Sequence, residues 1–344
     1  MKKESMNLLE LAAKVVNKAH TIPILDTFCI KNGQVQACDL EKYFETFVPE
    51  FQNIEVCLDA KKLLKILKLV DKDSETVVTC DQDLNVKIQS GKQNFKLVGQ
   101  SVDEFPVFPG ADPEDKPFEH MGGLTDTDTM LVKRAVKYAA NDKLRPFISH
   151  IFVDDKHIAA TDAHRLCFYE NSGKMALTCL ILKDLAPLLP AEGCTVSDNG
   201  KYLKFVGKDY NLYQRKFEGE YPTWRAVIPE NREISFIASS KDLQKALTSA
   251  MAIGGSPSDK CSFYCDELGV DLRKQDTDFQ ENFSYNLTAE NLGEATEIGF
   301  DPKRLKEIID AEKDIDYVFS LNGPDRAFII NGKVLLMPTV LSNR

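Results

Sequence analysis

Six helix-patterned stretches arrive in three pairs between runs of alternating residues, and this order limits what the chain can fold into more than any other feature. Apolar residues recurring three and four positions apart mark one face of a helix, whereas strict alternation marks a half-buried strand. The first pair is Ser5–Ala19, with Leu8, Leu9, Ala12, Val15 and Val16 as its inner stripe, and Asp59–Lys72, with Leu63, Ile66, Leu67 and Val70. The second is Asp126–Lys143, opened by an acid suited to an N-cap, and a short stretch, Ile181–Leu189, ended by Pro190. The third is Ser239–Ile253, closed by Gly254-Gly255, and Asp301–Lys313, with Pro302 at a first helical position. Strand-like runs lie between, among them Thr76–Cys80, Leu84–Ile88, Tyr202–Val206 and Ala327–Ile330, each bounded by Asp, Asn or Gly. Antiparallel meanders follow, and the fold class is α+β.

A chain of 344 residues exceeds one ordinary core and fits three domains of about 110 residues each. The Pro- and acid-rich stretch Phe105–Glu119 and the segment Val227–Glu233 are the natural boundaries, giving domains 1–118, 119–230 and 231–344. The repetition is one of element order rather than of residues. No apolar run reaches the roughly 18 residues needed to span a bilayer, and Met1-Lys2-Lys3-Glu4-Ser5-Met6-Asn7 lacks a signal peptide's apolar stretch, so a cytoplasmic location is expected. The nine cysteines are odd in number and scattered, with no Cys-x-x-Cys pair; the closest spacing is Cys261 to Cys265. Reduced thiols and no metal are expected.

The net charge of -10 argues at first against nucleic acid, but its distribution matters more than its sum. Lys61, Lys65, Lys68 and Lys72 share one helix face, with the apolar stripe turned away. Lys14 with Lys18, Lys133 with Lys137, and Lys241 with Lys245 repeat the i, i+4 spacing, and Lys143 closes the third stretch. The helical stretches together are positive, which leaves the rest more acidic than the whole. One such stripe is ordinarily a solvated surface. Its recurrence in four of the six stretches instead suits a mildly basic lining around duplex DNA, bound electrostatically and without sequence preference.

Four motifs are more specific. Thr161-Asp162-Ala163-His164-Arg165-Leu166 resembles the Thr-Asp-Gly-His-Arg-Leu signature of the bacterial sliding clamps, the beta subunits of DNA polymerase III. Asp103-Glu104-Phe105-Pro106, Tyr221-Pro222-Thr223-Trp224-Arg225-Ala226-Val227 and Leu335-Leu336-Met337-Pro338 stand at family-like spacing, so the resemblance extends along the whole chain. It implies the DNA-clamp fold: three similar domains, each with two helices on an inner face and antiparallel sheets outside, closed as a head-to-tail ring dimer. It also implies a replication processivity factor with no catalytic residue and no cofactor, partnered by double-stranded DNA, a replicative polymerase and an ATP-using clamp loader.

The resemblance further implies a hydrophobic groove for short linear motifs, built from Ile148, Thr161, Ala163, His164, Arg165, Leu166, Pro222, Val227, Leu335, Met337, Pro338, Thr339 and Val340. Aliphatic and Met side chains would take peptide anchors, while His164 and Arg165 would orient polar groups. Phe95 and Leu97, with Met251 and Ile253, are the expected dimer contacts. This chain departs from the family in having Ala163 for glycine, which calls for a backbone without positive φ, Ala226 where arginine is common, and Met337-Pro338-Thr339-Val340-Leu341 for a Met-Pro-Met-Arg-Leu ending. Two competing classes are a hydrolase or transferase using Asp162, His164 and a Cys167 nucleophile, and a monomeric scaffold of the same fold. The first is disfavoured because on a strand Cys167 would face away from His164.

Overall fold

A computed structural model of the chain describes residues 1–16, 22–70, 75–230, 232–253, 260–276 and 281–341. Helix α1 (Lys3–Ala12) leads into strands β1 (Thr27–Lys31), β2 (Gln34–Cys38), β3 (Lys42–Phe47) and β4 (Glu55–Asp59), then α2 (Ala60–Leu69) and β5 (Thr76–Cys80), β6 (Asn85–Ser90) and β7 (Gln93–Val98). Next come β8 (Glu119–Thr125), α3 (Asp126–Ala135), β9 (His150–Val153), β10 (His157–Thr161), β11 (Arg165–Glu170), β12 (Cys179–Leu182), β13 (Gly193–Asp198), β14 (Tyr202–Val206) and β15 (Tyr210–Arg215). The remainder is β16 (Phe236–Ser239), α4 (Ser240–Met251), β17 (Cys261–Asp266), β18 (Gly269–Asp276), β19 (Glu281–Leu287), β20 (Thr296–Phe300), α5 (Pro302–Glu312), β21 (Asp316–Ser320), β22 (Phe328–Ile330) and β23 (Val334–Leu336).

The local sequence explains most helix starts. Asp59, Ser239 and Asp301 accept from the backbone N–H of Lys62, Asp242 and Lys303, satisfying donors that the first turn leaves open. The α3 start differs from expectation. Its cap is Thr125, whose hydroxyl accepts from Asp128 N–H while the Asp128 carboxylate accepts from Thr125 N–H, a reciprocal capping box; Asp126 is already helical.

The stretch Ile181–Leu189 is not a helix. It supplies the end of β12 and a single 3-10 turn, Ala186–Leu188. Pro187 is the cause, since it lacks an N–H and its ring collides with the carbonyl one turn back. The long helical expectations are also trimmed: α1 ends at Ala12 and α3 at Ala135, so Lys14, Lys137 and Lys143 lie beyond helix ends.

The described residues form two compact units, one of residues 1–130 and 172–218, the other of residues 131–171 and 219–344. The first contains an eight-stranded antiparallel sheet in the order β4-β1-β2-β3-β15-β14-β13-β8 and a three-stranded sheet, β5-β6-β7. In the second, strands run β9-β10-β11-β23-β22-β21-β16, beside a four-stranded sheet, β19-β18-β17-β20. Element order repeats here: β4-β1-β2-β3 has the same plan as β20-β17-β18-β19, and β8-β13-β14-β15 the same as β16-β21-β22-β23. Half-sheets distant in sequence are zipped into one by β3 on β15, with Tyr43 opposite Tyr213, and by β11 on β23, with Leu166 opposite Leu335. A backbone edge satisfied in this way is not left open to solvent.

Candidate partner-binding groove

The motif Thr161–Leu166 is a tight turn from β10 into β11. Asp162 makes the turn: one carboxylate oxygen accepts from the backbone N–H of His164 at 2.9 Å and of Arg165 at 2.7 Å. Thr161 hydroxyl donates to Arg165 carbonyl at 2.7 Å and accepts from Ala163 N–H at 3.0 Å. Ala163 consequently sits at φ 74°, in the left-handed region. The expectation of a backbone without positive φ there is overturned: the hydrogen bonds of the turn hold an alanine in a conformation that favours glycine.

Arg165 does a different job from the one foreseen. It is 8% exposed, and its guanidinium holds Asp162 at 2.9 Å, Glu307 of α5 at 2.6 Å and the Lys137 carbonyl at 3.3 Å, while lying over the Tyr138 ring. Arg304 reaches the same Asp162 oxygen at 3.4 Å. Burial would push the Asp162 carboxyl up, but Arg165 and the two turn N–H groups overcome it and hold it below the usual carboxylate range. Arg165 is thus a tie within the unit, which leaves exposed His164 as the polar group on the surface.

The other expected groove residues fall into a floor and a lip. Leu166 and Leu335 are buried in one cluster with Phe168, Trp224 and Ile329, and cannot themselves offer much surface. Met337 N–H donates to the His164 carbonyl at 2.9 Å, which brings the C-terminal strand beside the turn. Met337, Val227 and Val340 are exposed, Pro222, Pro338 and Thr339 half-buried. Thr339 N–H is tied to the Gly299 carbonyl, and Val340 carbonyl accepts from Lys260. Ile148 is buried in a 3-10 turn before β9.

Sequence reasoning passed over Trp224 as a functional group, although it is the sole tryptophan. It anchors the cluster, stacked on Phe168 and edge-on to Phe152, with the Arg225 guanidinium 4.2 Å from its ring centre. Beside it is a cavity of about 520 Å³ lined by His157, Phe168, Trp224, Arg225, Ile228 and Lys333 among others.

The lysines divide as well. On α2, Lys61, Lys65 and Lys68 are exposed while Leu63 and Leu67 are buried, as the spacing requires. Lys68, however, is paired with Glu10 of α1 at 2.8 Å. Lys14, Lys137, Lys143, Lys241 and Lys245 are exposed and Lys133 half-buried; Lys137 donates to the Asp310 carbonyl and Lys245 lies over Tyr285. Lys18 and Lys72 fall outside the described residues. Phe95 and Leu97 are half-buried on one face of β7, an edge strand, with Val98 of the opposite face 76% exposed. Met251 ends α4, and Ile253 is half-buried, its carbonyl accepting from Lys274.

Nucleophilic chemistry has no support in this geometry. Cys167 is buried, and burial pushes its thiol far above neutral pH, so the thiolate is not available. All nine cysteines are free thiols. Among the described residues no group of three or more His, Cys, Asp or Glu could hold a metal ion, and no helix is long and apolar enough to cross a membrane.

Residues 1–109 match the family model of the DNA polymerase III beta subunit, N-terminal domain. The chain is 24% identical to the beta sliding clamp of Treponema pallidum over 62% of this chain and 60% of that protein. It is 23% identical to the beta sliding clamp of Bacillus subtilis over 92% of this chain and 90% of that one. The crystal structure of the Pseudomonas aeruginosa sliding clamp bound to griselimycin superposes with a TM-score of 0.86 at 16% identity, covering 99% of this chain and 98% of that one. Residues 1–109 belong to the DNA polymerase III beta-subunit family, and the whole chain has the sliding-clamp fold. That fold accounts for the zipped half-sheets and the repeated order of strands.

Proposed function

We propose that this chain is a DNA sliding clamp: a processivity factor, not an enzyme, that encircles duplex DNA and tethers a polymerase to it. The observation carrying this reading is agreement with the clamp fold over 99% of the chain, combined with the matched beta-subunit domain. Three repeats, 1–118, 119–230 and 231–344, supply the wall, and the repeated strand plan supports that division. A second copy completes the ring, with Phe95 and Leu97 of one subunit against Met251 and Ile253 of the other. Lys14, Lys61, Lys65, Lys133, Lys137, Lys143, Lys241 and Lys245 face the phosphates. Such contacts are sequence-independent and salt-sensitive, which lets the ring slide.

The lip of His164, Val227, Met337 and Val340 over the Trp224 cluster takes short linear motifs of the replicative polymerase and clamp loader, in the cytoplasm. Exposed apolar side chains over a rigid aromatic floor suit an apolar anchor, and Met can repack for different partners. Loading onto nicked circular DNA followed by linearisation tests the whole reading. A clamp stays bound to the circle and runs off the linear molecule. Equal retention on both forms refutes encirclement.

A further inference from the structure

Three of the nine cysteines meet in the core of the first unit. Cys29 on β1, Cys38 on β2 and Cys57 on β4 are buried in one cluster with Tyr43, Phe105 and Phe108. Phe105 and Phe108 belong to the segment Glu-Phe-Pro-Val-Phe at 104–108, which the second unit repeats as Glu-Tyr-Pro-Thr-Trp at 220–224.

The register of β1 on β4 sets Cys29 directly opposite Cys57. In an antiparallel strand the N–H and C=O of one residue point to the same side, and those of Cys57 point away from β1: its N–H donates to the Gln100 carbonyl at 3.0 Å and its carbonyl accepts from Gln100 N–H at 2.9 Å. At the end of the same ladder Asn32 N–H donates to the Ile54 carbonyl at 2.9 Å, so the even-numbered residues carry the bonds between these strands. Cys29 and Cys57 are therefore a non-hydrogen-bonded pair. Such pairs have Cα atoms about 4.5 Å apart, inside the roughly 4.4–6.8 Å that disulfides span. Cys38 is placed differently. It lies two residues from Gln36, the β2 neighbour of Cys29, and a diagonal of that kind is about 7–8 Å, too long for a disulfide.

The three thiols also differ in acidity. The Cys57 thiol donates to the Cys29 sulfur, which holds Cys29 below the usual thiol range against the opposing effect of burial, with help from Lys31, and raises Cys57. Burial pushes Cys38 up to about 12. A cavity of about 600 Å³ opens on the same face of the sheet, bordered by Lys31 and Gln36 beside Cys29 and by Val102 and Phe105 of the covering segment. The cover is a single 3-10 turn, Val102–Glu104, closed by Glu104 N–H on the Ser101 carbonyl and Phe105 N–H on the Val102 carbonyl, with Asp103 and Glu104 exposed. A turn held so locally can open without undoing the sheet.

We propose that Cys29 and Cys57 are a redox-active pair that hydrogen peroxide converts to a cross-strand disulfide. The Cys29 thiolate attacks one peroxide oxygen and the O–O bond breaks, leaving a sulfenic acid on Cys29 and a hydroxide that takes up the proton Cys29 released, as water. The Cys57 sulfur then attacks the Cys29 sulfur; the S–S bond forms, the S–O bond breaks, and the hydroxyl departs with the Cys57 proton as a second water. The two thiols give up two electrons and the peroxide is reduced by two. Because β4 runs directly into α2 at Ala60, the bond ties the base of that helix to β1.

Peptide mapping of the full, reduced chain after hydrogen peroxide and alkylation of the remaining thiols tests the pair. Trypsin cuts after Lys18, Lys31, Lys42 and Lys61, which puts Cys29, Cys38 and Cys57 on the separate peptides 19–31, 32–42 and 43–61. Mass spectrometry is expected to find 19–31 joined to 43–61 at least roughly tenfold above any link from 19–31 to 32–42, and dithiothreitol should undo it. Cys38→Ser should leave the link intact. Cys57→Ala should stop at a sulfenic acid on Cys29 that dimedone labels. The map of the unaltered chain decides even where a variant fails to fold. No link, a link from Cys29 to Cys38 in equal yield, or a link formed only in urea overturns the pair.

Discussion

Glu312 is the most exacting place to test how the second unit is held together. It ends α5 at 3% exposure, yet carries a carboxylate among four donors: Tyr169 hydroxyl at 2.6 Å, Tyr138 hydroxyl at 2.7 Å, Lys333 at 3.3 Å and Arg134 at 3.4 Å. Tyr138 and Tyr169 are themselves buried, so neither can turn to water. Replacing Glu312 by Ala strands two buried hydroxyls, at about 1–3 kcal/mol each, and takes the counter-ion from Arg134, whereas Lys333 keeps Asp314 at 2.8 Å. Removing one partner of a buried ionic network costs about 3–5 kcal/mol, and we expect Glu312→Ala to fall there. For a unit of this size that is a drop in Tm of roughly 6–20 °C. Glu312→Gln keeps the shape and an acceptor but turns charge-assisted bonds into neutral ones, so about 2 kcal/mol is expected.

Trp224 makes the measurement specific. It is the sole tryptophan and belongs to the second unit, so its fluorescence, excited at the red edge of the tryptophan band, follows that unit while tyrosine emission is avoided. A triple variant, Glu312→Leu with Tyr138→Phe and Tyr169→Phe, should recover part of the loss, since removing all partners together leaves fewer orphaned groups. A Tm drop under about 3 °C for Glu312→Ala, or a triple variant as unstable as the sum of its parts, would refute the network as argued.

Other consequences are narrower. Ala163→Gly relieves a left-handed backbone costing about 1–2 kcal/mol and gives up about 0.5–1 kcal/mol of chain entropy, so the second unit should gain roughly 0.5–1 kcal/mol in urea titrations. A loss would show that the Ala163 methyl makes a contact worth more than the strain. Because Asp162 is held below the usual carboxylate range, its contribution is complete above about pH 5 and disappears as pH falls through the depressed value; Asp162→Asn should flatten that acid limb of the stability curve. Deleting Met337 to Arg344 should abolish partner-peptide binding in fluorescence anisotropy while the dimer persists, and retained binding would sink the groove assignment. Glu substitutions at Lys61 and Lys65 should shorten retention on circular DNA more than one at Lys68, whose charge already meets Glu10; equal effects would remove the ion pair from the account.

What could be read from the residues, and what could not, follows from the range over which each signal acts. The starts of α2, α4 and α5 were legible because Asp59, Ser239 and Asp301 bond to their own helices within three residues. The false helix at Ile181–Leu189 came from weighing apolar spacing above Pro187, whose effect is as local as any cap. Arg165 was misjudged for the opposite reason. Its turn partner Asp162 is three residues away, but Glu307 and the Lys137 carbonyl, which occupy the rest of the guanidinium, are brought to it only by the fold. Leu166 and Leu335 lie opposite each other across β11 and β23 and are buried, so on the proposed groove reading the surface left to a partner is that of His164, Val227, Met337 and Val340. The repeat between 104–108 and 220–224 lay open in the sequence but had no meaning until Phe108 and Trp224 were seen capping equivalent aromatic clusters. What Glu-Phe-Pro-Val-Phe at 104–108 and Glu-Tyr-Pro-Thr-Trp at 220–224 keep inside those clusters is aromatic character, Phe105 with Tyr221 and Phe108 with Trp224, while the exposed Val107 and Thr223 differ.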